Sequence, residues 1–196
     1  MSHPVLLARG AVDVLDLSGA PRAPRTSIWS FGRYGEDRAV YTQALFAGAR
    51  TVHMGVDLGG PAGTPVHAWT GGVVRHAGYN PAEGDYGHVL VLEHDAPEGL
   101  PRFALYGHLS ASTLRHAGVG RRFDEGDVIG WLGAEHENGG WEPHVHVQLA
   151  WDAPETHDMP GAVARADVEE ARRRWPDPAI VLGADYGMLT GASSMR

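Results

Sequence analysis

Short runs of alternating apolar and polar residues dominate the chain. In Pro143-His-Val-His-Val-Gln-Leu149, Val145, Val147 and Leu149 share one side of an extended strand, and His144, His146 and Gln148 share the other. Similar β-like runs lie at 64–68, 72–75, 88–94, 103–109, 128–132 and 145–151, separated by Gly, Pro and Asp. Turn signals at this density predict an all-β, antiparallel domain rather than βαβ units. Before it, Val12, Val14, Leu15 and Leu17 followed by Pro21 and Pro24 predict a peripheral strand and a turn-rich entry. After it, 152–161 reads as a loop and 162–175 as a helix, with Val163, Val168, Ala171 and Trp175 on one stripe. Pro176 and Pro178 end that helix, and 191–196 is expected to fray. The expected organisation is an N-terminal extension over 1–26, a β-domain over 27–151, and a C-terminal loop, helix and tail over 152–196 packing on it.

Composition narrows the chemistry. The chain has 196 residues with 43% hydrophobic and 20% charged, which suits one globular domain with a real core. A formal net charge of −8 and the lack of any basic run interleaved with aromatics argue against nucleic acid. Every cationic side chain is arginine, so lysine Schiff-base and P-loop chemistry are excluded. There are no cysteines and 12 histidines, so a metal site would use imidazole and carboxylate ligands. No stretch approaches the ~20 apolar residues of a membrane span. Arg9, Asp13 and Asp16 interrupt the N-terminal apolar stretch, so no export signal is read and a cytoplasmic protein is expected.

Three segments carry candidate chemistry. His144 and His146 point together from one strand face, with Cα atoms roughly 7 Å apart. In Thr51-Val-His-Met-Gly-Val-Asp-Leu58, strand parity gives His53, Gly55 and Asp57 one face and Val52, Met54, Val56 and Leu58 the other. A helix would also bring His53 and Asp57 together, but Gly55, Gly59 and Gly60 make it the poorer reading. Leu105-Tyr-Gly-His-Leu-Ser110 puts His108 at the end of an apolar run. An H-x-H or an H-x-x-x-D is each expected by chance about once in such a chain. Their shared design, polar His/Asp faces backed by apolar ones, is what singles them out. Two imidazoles and a carboxylate form a standard catalytic zinc set with a position left for water. The remaining histidines (67, 76, 88, 94, 116, 136 and 157) read as surface or hydrogen-bonded residues, and Trp131 and Trp141 as core or groove wall.

His53-x-x-x-Asp57, Gly59-Gly-Pro-Ala-Gly-Thr-Pro-Val-His-Ala68, Tyr106-Gly-His-Leu-Ser110, Gly126-Asp-Val-Ile-Gly130 and Pro143-His-Val-His146 occur in that order. The order resembles the lysostaphin-type (LytM-type) zinc metallopeptidases over about residues 27–150. The resemblance implies one Zn2+ ion held by His53, Asp57 and His146, with His108 and His144 assisting catalysis on a peptide or amide substrate. It also implies an antiparallel β-sandwich of the duplicated hybrid motif type, with the site in a groove on one sheet. Zinc would acidify a water and polarise the scissile carbonyl. With no HExxH helix, His108 and His144 are left as the proton acceptors.

A narrower likeness lies in Asp85-Tyr-Gly, Glu137-Asn-Gly-Gly-Trp-Glu-Pro-His144, Asp158-Met-Pro-Gly161 and Trp175-Pro-Asp-Pro178. These resemble the peptidase-like domain of large proteins that also carry phosphotransferase and class-III aminotransferase domains, of which this chain would be a free-standing version. Departures from the wider family fall around the groove. The tyrosine many members place just before H-x-x-x-D is absent from 44–50, leaving Tyr34 and Tyr41 upstream, and Val147-Gln148 replaces Phe-Glu. The competing expectations are a non-catalytic metal- or ligand-binding module on the same fold and a histidine phosphocarrier, the latter disfavoured by the Asp57 carboxylate paired with His53.

Overall fold

A computed structural model describes residues 2–19 and 24–183, so Pro21 and the tail expected at 191–196 lie outside the described residues. The strands in chain order are β1 (Val12–Val14), β2 (Trp29–Gly32), β3 (Arg50–His53), β4 (Val56–Gly59), β5 (Pro65–His67) and β6 (Gly72–Asn80). They continue with β7 (Gly87–His94), β8 (Phe103–Leu109), β9 (Arg122–Phe123), β10 (Val128–Trp131), β11 (His144–Ala150) and β12 (Ala162–Ala164). Among the described residues, three short α-helices join them: α1 (Ala111–His116), α2 (Val168–Arg174) and α3 (Ala179–Leu182). None is long and apolar enough to cross a membrane.

Eight strands form one sheet in the order β1-β2-β4-β11-β8-β7-β6-β9, and β10–β5 and β12–β3 form two small ribbons. Every pairing is antiparallel except β1 with β2, the edge strand expected at the N-terminus. The expected all-β, antiparallel architecture is what the chain adopts.

Alternation explains the layers. Val145, Val147 and Leu149 of β11 pack with Val56 and Leu58 of β4 and with Leu90, Leu92, Ala104 and Tyr106. The β5–β10 ribbon covers this face through Val66 and Ile129. The opposite face of the large sheet carries a smaller cluster of Tyr86, Val89, Val91, Leu105 and Met159. Central strands are therefore buried on both sides, which is why β7 reads as a nearly continuous apolar run.

Two expectations are corrected. The apolar residues of 51–58 do not share one face: Val52 and Met54 pack with Val163 and Ala171, whereas Val56 and Leu58 enter the main core. The chain breaks between β3 and β4 at Met54–Gly55 and changes sheets there. The helix expected over 162–175 starts at Val168; Ala162–Ala164 is strand, with Val163 opposite Val52. Two β-branched or small apolar residues facing a waiting strand gain more from that pairing than from one further helical turn.

Candidate metal centre

β4 and β11 are hydrogen-bonded neighbours, with His146 directly opposite Asp57. The β3 end brings His53 in from the other ribbon, and Gly55 makes the approach possible. A Cβ on Gly55 would lie 2.5 Å from His146 Cε1 and 2.7 Å from the Val147 carbonyl oxygen, so the imidazole occupies space that only glycine leaves open.

The three groups meet closely. His53 Nε2 lies 2.9 Å from His146 Nδ1 and 3.2 Å from Asp57 Oδ1, and His146 Nδ1 lies 3.1 Å from the same oxygen. The edge of a tetrahedron with bonds of ~2.0–2.1 Å is about 3.3 Å, so the spacing fits a single zinc ion. Proton accounting points the same way. His53 donates its Nδ1 proton to the Arg33 carbonyl at 2.9 Å, and His146 donates its Nε2 proton to Gln148 Oε1 at 3.1 Å. That leaves a lone pair on each facing nitrogen and an anionic oxygen between them. Three acceptors with no proton to share repel one another, and a divalent cation resolves the conflict. His53, Asp57 and His146 are the cluster of metal-binding type among the described residues.

Electrostatics keep the ligands in their binding forms. Burial lowers His53 to about 4, with Arg38 pushing the same way against Asp57. Burial alone would raise the Asp57 carboxyl, but His53, Arg38 and His144 hold it well below its ordinary value. At pH 7 His53 is thus a neutral imidazole facing an ionised Asp57.

His108 and His144 stand together beside it. Their ring centroids are 4.2 Å apart, and His144 Nε2 is 3.8 Å from Asp57 Oδ1. Each donates Nδ1–H to a backbone carbonyl, His108 to Asn138 and His144 to Glu142, both at 2.7 Å. The Nε2 lone pairs are left for the pocket. Burial pushes His108 well below its ordinary value, with His144 and His146 adding to the effect; burial also lowers His144 against the pull of Asp57. His108 adopts φ +60°, a left-handed conformation rare for a residue with a Cβ. Its N–H is held by the Tyr86 carbonyl at 2.7 Å, and its own carbonyl accepts from Gly133 at 3.0 Å. The 133–141 loop that supports it is tied by Asn138, whose side chain binds Gly133, Gly140 and Trp141 backbone groups. Gly139, at φ +91°, lets this loop approach the Asp85 carbonyl, which a Cβ would overlap.

The groups open into a cavity of about 240 Å³ that Asp57, His108, His144 and His146 line. Its apolar walls include Leu17, Tyr41, Phe46 and Trp141, so Trp141 is groove wall. Of the two upstream tyrosines, Tyr41 reaches the cavity with its hydroxyl 2.9 Å from Arg38, whereas Tyr34 turns away and donates to the Trp175 carbonyl at 2.7 Å. Arg38 Nη1 also binds Asp57 Oδ2 at 2.6 Å, a contact no spacing in the sequence signals. The other histidines stay outside the cluster; His88 donates to the Glu137 carbonyl at 3.1 Å, and His94 is buried in the core.

The model of peptidase family M23 matches residues 51–158, just over half of the chain. The chain belongs to this family. The M23 match covers all five residues of the site, from His53 to His146. The chain is 29% identical over 120 residues to the DD-carboxypeptidase/endopeptidase Mpg of Neisseria meningitidis serogroup B, a stretch that is 61% of this chain and 25% of that protein. The corresponding Neisseria gonorrhoeae protein matches equally, so the M23 chain spans about a quarter of the length of these curated relatives. Among solved structures, the catalytic domain of lysostaphin from Staphylococcus simulans is 22% identical with a TM-score of 0.49, covering 74% of this chain and 92% of that one. A zinc-containing peptidase from Vibrio cholerae is 24% identical with a TM-score of 0.44, covering 63% of this chain and 32% of that one.

Proposed function

We propose that this chain is a zinc-dependent peptide or amide hydrolase in which His108 and His144 move protons beside a metal held by His53, Asp57 and His146. One observation carries the reading: three proton-free donors within 3.2 Å of one another, flanked by two neutral imidazoles facing the same cavity. Zinc in that corner supplies Lewis acidity, polarising an amide carbonyl and acidifying water.

The chain's own residues do the rest. Neutral His108 or His144 takes a proton from the attacking water at Nε2 and returns it to the departing nitrogen. Water is added across the C–N bond, giving a carboxylic acid and an amine. The Tyr41 oxygen accepts a hydrogen bond from Arg38, so its own proton can serve the carbonyl oxygen as negative charge develops there. Leu17, Phe46 and Trp141 exclude water from one side of the reacting amide.

The substrate is proposed as a small peptide or an amide-linked amine, with neither nucleic acid nor membrane as partner. The relatives named as DD-carboxypeptidase/endopeptidase support a peptide ending in D-residues, including a wall precursor. The resemblance of Asp85-Tyr-Gly and Asp158-Met-Pro-Gly161 to peptidase-like domains fused to phosphotransferase and aminotransferase partners favours, as a second candidate, a cytoplasmic amide of a modified amine. Amine release should be measured across wall-precursor peptides, dipeptides and acylated amines, with the protein chelated and then reloaded. Hydrolysis lost on chelation and restored by zinc is expected. Stoichiometric zinc, tight ligand binding and no turnover on any substrate would instead make the chain a binding module. Cell fractionation with a tagged chain decides the compartment.

A further inference from the structure

The least expected group beside the metal corner is a buried guanidinium. Arg38 is 3% exposed, although it lies on the loop between β2 and β3 rather than in a core strand. Its five donors are spread over four acceptors. Nη1 binds Asp57 Oδ2 at 2.6 Å and the Tyr41 hydroxyl at 2.9 Å, Nε binds Glu36 Oε2 at 3.1 Å, and Nη2 reaches the Arg33 carbonyl at 3.4 Å. That carbonyl is the acceptor that fixes the His53 ring through Nδ1. A single planar fork therefore touches the outer side of Asp57 directly and that of His53 through one backbone oxygen.

The surroundings are shaped for it. A Cβ on Gly32, the β2 residue paired with Asp57, would stand 2.8 Å from Arg38 Nη2 and 3.0 Å from Asp57 Oδ2. Glycine there opens the gap through which guanidinium and carboxylate meet. Glu36 balances the charge, with a side chain only 7% exposed and its other oxygen accepting from the Leu17 amide at 3.1 Å. The 33–38 loop is laced to β3 by Gly35 N to His53 O, His53 N to Glu36 O and Arg38 N to Thr51 O.

We propose that Arg38 is a positioning residue for the metal centre, holding Asp57 as a one-oxygen ligand and His53 with its Nε2 lone pair inward. With Oδ2 committed to Arg38, only Oδ1 faces the two imidazoles. Without it the carboxylate can rotate to offer both oxygens or swing away. The inference rests on the metal reading of His53, Asp57 and His146. Lysine keeps the charge but has one ammonium and no fork, so it cannot hold Asp57, Glu36, Tyr41 and the Arg33 carbonyl together.

The test compares parent, Arg38→Lys and the charge-neutral double variant Arg38→Met/Glu36→Gln. Zinc affinity is read by chelator competition at fixed pH, the fold by unfolding of the chelated proteins, and ligand geometry by the visible spectrum of the cobalt-substituted proteins. Loss of such an outer hydrogen-bonding partner is worth 10–100-fold in metal affinity. Arg38→Lys is expected to bind zinc more weakly by about that factor, with an altered cobalt spectrum and an unfolding midpoint close to the parent's. The double variant removes Arg38 together with its Glu36 partner, so neither member of that ion pair is left buried without the other, and it should show the same weakened affinity. Zinc affinity within threefold of the parent and an unchanged cobalt spectrum in either folded variant would overturn the proposal, even if stability fell. A parent that binds no zinc would instead sink the metal reading beneath it.

Discussion

Two sites bury histidine in this protein, and they differ in where the protons are. In the metal corner, His53 and His146 aim lone pairs at each other and at Asp57 Oδ1, with no hydrogen between them. On the main-core face of the large sheet, His94 is equally buried, yet every polar atom of its ring has a complementary partner. It donates Nδ1–H to the Thr70 carbonyl at 3.0 Å and accepts the Tyr106 hydroxyl at Nε2 at 2.8 Å. Burial lowers both His53 and His94 to about 4. A depressed imidazole therefore does not by itself mark function; a surplus of acceptors does. His94 is a finished piece of core, and the metal corner is completed only by a cation.

The sharpest way to break this contrast is to substitute one residue in each place. Asp57→Asn keeps the shape but removes the anionic donor. It should lose stoichiometric zinc after desalting and drop hydrolysis on the order of 10³-fold or more, whereas His94→Phe should keep its metal. Elemental analysis of both proteins decides it, and zinc retained by Asp57→Asn would remove the carboxylate from the ligand set. Next in size is His108→Ala. Its imidazole touches no ligand closely, the His146 ring centroid lying 6.3 Å away. Turnover should fall about 10²–10⁴-fold with zinc content unchanged, and metal loss in that variant would move His108 among the ligands.

Much of the corner was legible because strand parity writes it into the chain. The His144/His146 alternation against Val145 and Val147, and the pairing of β4 with β11, follow from which faces are apolar. The broken strand at 54–55 was not legible, since alternation of Val52, Met54, Val56 and Leu58 looks the same whether the run stays in one sheet or changes sheets. Arg38 and Glu36 were invisible for another reason. Buried charges in a loop have no period, and their contact with Asp57 is made by loop closure and by the gap at Gly32, neither of which leaves a spacing signature. Tyr41 lies upstream of the 44–50 stretch, and the same loop delivers it to the cavity. Gln148 lay in plain view on the histidine face of β11; only the missing proton on His146 explains why an acceptor there matters.

The smallest effect separates the two histidine sites by pH. His94 is neutral in the fold with its value near 4, while the unfolded chain titrates it near the ordinary 6.5. Above pH 6.5 both states are neutral and His94 contributes no pH dependence. As pH falls below that value the unfolded state takes up a proton that the folded state refuses, so stability drops until pH passes the folded value. From pH 7.5 to pH 5 the loss is about 2 kcal/mol. His94→Phe removes the proton site, at a roughly constant cost for leaving the Tyr106 hydroxyl and Thr70 carbonyl without their partner. Urea unfolding of both chelated proteins at the two pH values should therefore show the parent losing about 2 kcal/mol relative to the variant. The difference is independent of His53, His108 and His144, which are common to both proteins and cancel. An equal pH dependence in parent and variant would mean that His94 takes up its proton in the fold as readily as in the unfolded chain, and the line between a completed core site and an uncompleted metal site would have to be redrawn.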